Sequence, residues 1–142
     1  MTLQVELLET SFDLIAPDGD RLMDEFYARL FATAPAVKPL FAGADLRRQK
    51  AMLLSALVLV RKSLRDLDRL VPSLHALGAR HVAYGAEEAH YAVVGEVLLA
   101  SMAQIAGGAW RPEYAAAWAD AYAVVAGVMI EGAAAAELEL AA

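Results

Sequence analysis

Apolar side chains recur at intervals of three and four residues along nearly the whole chain, and nowhere in the strict alternation of a half-buried strand. That period places them on helix faces, so the chain must solve the problem of packing helices against one another. The first stripe, Leu8, Phe12 and Ile15, lies in a run from Leu3 to Ile15 that stops at Pro17-Asp18-Gly19. The second is Leu22, Phe26 and Leu30, flanked by Met23 and Tyr27, with Asp18 or Asp20 as its expected N-cap. Pro35 opens a further short turn through Phe41.

Asp45 is placed to cap a long helix whose inward stripe is Leu53, Leu57, Val60 and Leu64, with Arg61, Lys62 and Arg65 outward as solvated surface. A helix from Leu70 to Tyr84 puts Leu70, Leu74, Leu77 and His81 on one face, and Gly85 closes it. Glu87 and Glu88 open the next helix, where carboxylates favour the positive end of the helix dipole. Its stripe is Tyr91, Val94, Leu98 and Met102, and Gly107-Gly108 ends it. Pro112 begins a last helix with Trp118, Tyr122, Val125 and Met129 inward. The alanine-rich tail from Ala133 to Ala142 is assigned no role.

With 142 residues, no internal repeat and no linker, the expectation is one domain spanning 1–142, all-α. The 59% hydrophobic content suits helices packed closely around something apolar. A net charge of -6 offers no basic field for a phosphate backbone, so nucleic acid is not an expected partner. The absence of cysteine removes disulfides, thiolate nucleophiles, iron–sulfur clusters and cysteine-based zinc sites. No signal peptide is read at the N-terminus and no apolar stretch reads as a membrane span, which makes the cytoplasm the expected location.

Three histidines remain as metal ligands. His75 and His81 fall nearly opposite each other on their helix, and His90 lies beyond the turn, which disfavours a multi-histidine zinc site. A single imidazole on an apolar face suffices when a porphyrin supplies the equatorial ligands.

The sequence resembles the globin family, and within it the bacterial single-domain haemoglobins of the Vitreoscilla type, with a lesser similarity to neuroglobins. The resemblance covers nearly the whole chain. It is densest in Phe26-Tyr27-Ala28-Arg29-Leu30-Phe31, in Pro35-Ala36-Val37-Lys38-Pro39-Leu40-Phe41 and in Leu77-Gly78-Ala79-Arg80-His81-Val82-Ala83-Tyr84-Gly85. Ala89-His90-Tyr91-Ala92-Val93-Val94-Gly95 and Ala117-Trp118-Ala119-Asp120-Ala121-Tyr122 extend it.

The resemblance implies a globin fold, a three-over-three helical sandwich around one haem b (iron protoporphyrin IX), with His81 as proximal iron ligand. The spacing of Tyr27, Pro35 and Phe41 matches the family's register and gives Phe41 the place of the ring against the haem face. Gln49, 32 residues before His81, matches the distal position, and Leu53 one turn later would wall the ligand pocket. Tyr27 and Gln49 would each donate a hydrogen bond to a bound diatomic gas, at roughly 1 kcal/mol apiece. Because an amide ligates iron poorly, the sixth iron position should stay open, unless Lys50 takes it.

On the proximal side the resemblance gives Gly78 the task of making room for the porphyrin edge and Tyr91 that of orienting the imidazole. Leu77 and Val94 complete the cofactor contacts, and Arg80 and Lys50 are partners for the haem propionates. These bacterial globins carry a proximal carboxylate where this chain has Ala133, and Glu131 should face elsewhere. The implied function is reversible binding of O2, with CO and NO as further ligands. Nitric oxide dioxygenation is the enzymatic alternative, and it would draw electrons from a separate flavin or NAD(P)H reductase. A haem-free structural globin is the third reading, and the assembly is expected to be a monomer or homodimer.

Overall fold

The computed structural model describes residues 3–141. Six α-helices follow one another: α1 (Val5–Ile15), α2 (Gly19–Thr33), α3 (Leu46–Lys62), α4 (Val71–Ala83), α5 (Glu88–Ala106) and α6 (Pro112–Ala141). Single 3₁₀ segments cover Ala16–Asp18, Pro35–Phe41, Leu67–Leu70 and Gly107–Ala109, and no strand occurs among the described residues. The all-α reading therefore holds, with the helix starting at Leu70 now divided into a 3₁₀ turn and α4.

Local chemistry explains most of the boundaries. Asp45 caps α3, its carboxylate accepting from the backbone N–H groups of Arg47 at 3.0 Å and Arg48 at 3.4 Å. Gly85, at φ +85, and Gly107, at φ +59, end α4 and α5 in the left-handed conformation that glycine adopts without a Cβ clash. His90 is spent on the start of α5, where its Nδ1 accepts from the Glu87 N–H at 2.9 Å. Asp18 occupies the N-cap of α2 but makes no side-chain cap, facing Arg21 at 3.6 Å instead. The tail continues α6 as far as Ala141.

The stripes read from the sequence point inward. Leu8, Ile15, Met23 and Met102 are fully buried, joined by Phe12, Leu22, Phe26, Leu30, Leu98 and Trp118. Trp118 Nε1 donates to Ser11 Oγ at 2.8 Å, and Ser11 Oγ donates to the Leu7 carbonyl at 2.6 Å, so this buried polar pair that joins α1 to α6 is satisfied. The basic edge of α3 is only partly free surface. Arg61 bonds Asp13 at 3.0 Å and Glu9 at 3.3 Å, and Arg65 bonds Glu9 at 2.7 Å, tying α3 to α1.

Helices α4 and α6 cross in backbone contact. A Cβ on Gly78 would sit 1.8 Å from the Met129 carbonyl oxygen, and one on Gly132 would sit 2.2 Å from that of His75. Gly78 therefore serves the helix crossing, and not the porphyrin edge that the resemblance assigned to it. Gly95 plays the corresponding part between α5 and the Tyr122 ring on α6, where a Cβ would lie 2.6 Å from the ring.

Two segments, Glu88–Ala109 and Pro112–Glu139, are long and apolar enough to cross a membrane by length and composition, each with a mean hydropathy of 1.5. The sequence reading anticipated no segment of that kind. Both carry core residues here, Val97, Leu98 and Met102 on one and Ala117, Trp118 and Ala121 on the other.

The two kinds of glycine on these helices should respond oppositely to alanine. Gly78→Ala must push α4 away from α6 and should destabilise the fold by about 3 kcal/mol or more. Gly127, in the middle of α6 with nothing within 4 Å of its Cβ position, should gain about 0.5–1 kcal/mol on the same change. Urea unfolding followed by circular dichroism measures both.

Candidate functional site

Tyr27 projects from α2 into an aromatic group. Its ring stands edge-to-face against Phe26 at 5.0 Å and Phe41 at 5.8 Å, and tilts against Phe31 at 6.0 Å. The i, i+4 spacing of Tyr27 and Phe31 on one helix was the signal for Phe31, which the sequence reading left out of the site. Tyr27 is 5% exposed, and its hydroxyl reaches the backbone carbonyl of Gln49 at 3.5 Å, too long for a strong hydrogen bond. Burial pushes this phenol up from 10.0 to about 12.

Gln49 and Leu53 are half-buried one turn apart on α3. Lys50 is turned elsewhere, its Nζ lying 3.0 Å from Asp24 Oδ1 on α2. Tyr27 and Phe41 are thus in ring contact, with the Gln49 backbone near the Tyr27 hydroxyl, while the Lys50 ammonium faces α2.

His81 is half-buried near the end of α4. Its Nδ1 lies 2.7 Å from the Leu77 carbonyl, and because a carbonyl only accepts, Nδ1 carries the proton. Nε2 has no protein partner among the described residues and is the ring nitrogen left to ligate a metal. The Tyr84 ring stands 5.4 Å from the imidazole and the Tyr91 ring 6.2 Å. The group that orients His81 is therefore the Leu77 carbonyl, while the buried Tyr91 hydroxyl has no partner. The Tyr91 carbonyl accepts from the Tyr122 hydroxyl at 2.5 Å. Burial raises both phenols above their ordinary value, Tyr122 further because Tyr91 lies beside it.

Glu131 pairs with His75 at 3.2 Å and takes no part in the surroundings of His81. Arg80 is exposed and makes no ion pair among the described residues, and Leu77 and Val94 are half-buried against the core. A Cβ on Gly85 would touch Leu40 at 3.3 Å, which brings the segment before Phe41 against the end of α4.

Helix α3 rests on α1 and α2, whereas α4 rests on α6 and its own leading turn. These consecutive helices, one bearing Gln49 and Leu53 and the other His81, make at most marginal contact with each other. No group of three His, Cys, Asp or Glu able to hold a metal exists among the described residues. One imidazole with Nε2 unengaged, amid half-buried apolar side chains, fits a metal that brings its own equatorial ligands and does not fit a bare ion.

An all-helical chain with such a histidine has the ligand set that haem proteins use. The model of the globin family matches residues 24–129, and the chain belongs to the globin family. It is thus a haem-binding, gas-binding globin. A bacterial globin from Campylobacter jejuni superposes with a TM-score of 0.79 at 25% identity, covering 92% of this chain and 94% of the other. An engineered carbene transferase made from a candidate nitric oxide dioxygenase of Rhodothermus marinus superposes at 0.88, covering 97% and 96%, and at 22% identity it shows the shared fold alone. The flavohemoprotein of Bacillus subtilis is 25% identical over 128 residues, 89% of this chain and 32% of the relative. That of Bordetella parapertussis is 29% identical over 126 residues, 87% and 31% respectively. The chain spans about a third of the length of these curated relatives.

Tyr27 gives the site a pH signature. Its phenol ionises near 10.0 when unfolded and near 12 when folded, so the stability it contributes is complete below pH 10 and is lost as pH rises through about 12. Alkaline unfolding series on the wild type and Tyr27→Phe should show a shallower loss over that window in the variant.

Proposed function

We propose that this globin binds O2 reversibly on a haem b held by His81, with Tyr27 and Gln49 as hydrogen-bond donors on the opposite wall. Haem iron, when bound, supplies the coordination position that a diatomic gas takes. The observation that carries the reading is the His81 hydrogen bond: Nδ1 is engaged by Leu77 and Nε2 is left as the ligating atom. Phe41, Leu53, Leu77, Tyr91 and Val94 would exclude water from the site.

The Tyr27 hydroxyl is buried with only the distant Gln49 carbonyl for company, so its proton is available to a gas bearing partial negative charge. Since burial keeps Tyr27 protonated far beyond neutral pH, it acts as a donor and not as a base. Gln49 has no side-chain hydrogen bond among the described residues and can turn its amide toward the same gas. Lys50, engaged by Asp24, is left out of the sixth iron position, and Arg80 is the rim cation that remains for a propionate.

His81 meets a neutral carbonyl and no carboxylate, which leaves it a weaker electron donor than a histidine backed by an acid. That favours holding O2 over activating peroxide. A second reading, nitric oxide dioxygenation with a separate reductase, rests on the flavohemoprotein relatives. Its test is the conversion of NO to nitrate by the oxygenated protein with repeated turnover on a supplied reductase, and single-turnover behaviour would reject it.

His81→Ala should abolish the visible absorption of the haem-loaded protein, while Tyr27→Phe should retain haem and release O2 roughly fivefold to tenfold faster, the loss of about 1 kcal/mol. Spectra of the reduced, CO and O2 forms with stopped-flow O2 release measure both. Unchanged release from Tyr27→Phe removes it from the donor role.

A further inference from the structure

The helix bearing Gln49 and the helix bearing His81 are fastened to the fold by different chemistry. Helix α3 is tied by Lys50, Arg61 and Arg65 to Asp24, Glu9 and Asp13, and side chains of these types stay charged well to either side of neutral pH. Helix α4 has one polar side-chain tie to another element among the described residues, with His75 Nε2 3.2 Å from Glu131 Oε2 on α6. An imidazole ordinarily gains its proton at about pH 6.5, so the tie on α4 is of a kind that changes charge close to neutrality.

The pair sits where the two helices come closest. A Cβ on Gly132, next to Glu131, would lie 2.2 Å from the His75 carbonyl oxygen, and one on Gly78 1.8 Å from that of Met129. Such contacts limit how near α4 and α6 can come, whereas only attraction resists their parting, and the His75–Glu131 bond is its polar part. Helix α4 rests chiefly on α6 and on its own leading 3₁₀ turn, and His81 lies six residues along it from His75, about 9 Å. A hollow of ≈ 340 Å³ beside the pair is otherwise lined by alanine and glycine, with Glu139 as its one further ionisable group. The leading turn carries Asp68 and Arg69, and Arg69 faces Asp66. A protonated His75 therefore meets Glu131 first and Glu139 second, and no cation lines the hollow.

We propose that His75 and Glu131 are a positioning pair for His81, whose hold on α4 tightens when His75 is protonated and thereby sets the rate of O2 release. The proposal rests on the reading of His81 as the iron ligand. With the imidazole neutral, Nε2–H donates to the carboxylate; with it charged, the same bond gains coulombic attraction. His81 takes its direction from α4, so a change in how firmly α4 is held reaches its Nε2 without either member of the pair touching haem or gas. Because His75 is 41% exposed and Glu131 71%, water screens the gain and the expected effect is about twofold.

The test uses the haem-loaded chain between about pH 5 and 8, with NMR giving the midpoint at which His75 titrates. Stopped-flow O2 release and the iron–histidine stretching band of the reduced protein should both change at that midpoint, release by about twofold. Protection of the α4 amides against hydrogen exchange, corrected for the intrinsic pH dependence of exchange, should be about twofold higher on its acid side. Two variants separate charge from packing. Glu131→Gln keeps a neutral hydrogen bond and should hold all three readouts at their alkaline-side values, while His75→Lys, charged to about pH 10, should hold them at their acid-side values. Circular dichroism checks that both are folded. Titration of His75 that neither release nor the stretching band follows overturns the proposal, and so does a wild-type profile in Glu131→Gln. Absence of the iron–histidine band from the wild type at every pH would overturn the haem reading itself, and the proposal with it.

Discussion

The backbone contact between α4 and α6 is the constraint on which the placement of His81 depends. Where Gly78 meets Met129 and Gly132 meets His75, two helices approach more closely than any side chain would permit. A crossing of this kind has little freedom to slide or rotate, because a shift along either helix drives a Cβ into a peptide group. The imidazole three residues beyond Gly78 takes its direction from that anchored helix and from the Leu77 carbonyl. A histidine of fixed orientation, with Nδ1 engaged, follows from packing and backbone chemistry, with no charged neighbour needed to hold it.

The opposite wall is supported separately. Helix α3 is fastened to α1 by Arg61 and Arg65 on Glu9 and Asp13, and to α2 by Lys50 on Asp24. Exposed ion pairs of this kind contribute modestly to stability. Their effect here is geometric, since several converge on one helix and fix which of its faces turns toward Tyr27. With α3 tied to the first two helices and α4 to the last, the two faces of the site belong to different supports. The haem proposed to lie between them would be held from both sides without either helix having to pack on the other.

Much of this was legible in the sequence because helical periodicity reports burial directly. The stripes through Leu8, Leu22, Leu98 and Trp118 are core residues, and Asp45, Gly85 and Gly107 mark helix ends by chemistry local to a few residues. What could not be read were relations between distant segments. Gly78 looked like space for a cofactor because its partner, Met129, lies 51 residues on and contributes only backbone. Lys50 and Arg61 looked like free cations because Asp24, Glu9 and Asp13 reach them only through the tertiary fold. Tyr91 was given the orienting task that falls to the Leu77 carbonyl, since a backbone acceptor leaves no mark in a sequence.

The buried phenols show why the site is polar at a few points only. Tyr122 spends its hydroxyl on the Tyr91 carbonyl, an i, i-31 tie that binds α6 to the start of α5. Tyr27 has nothing comparable, and a buried hydroxyl without a short partner costs free energy that the aromatic contacts with Phe26, Phe31 and Phe41 must offset. Phenylalanine at position 27 would fill the same space without that cost, so packing alone gives no reason for the hydroxyl. A donor kept protonated by its surroundings and only weakly engaged within the protein is what the proposed recognition of a small gas would use, and Tyr27 has that character.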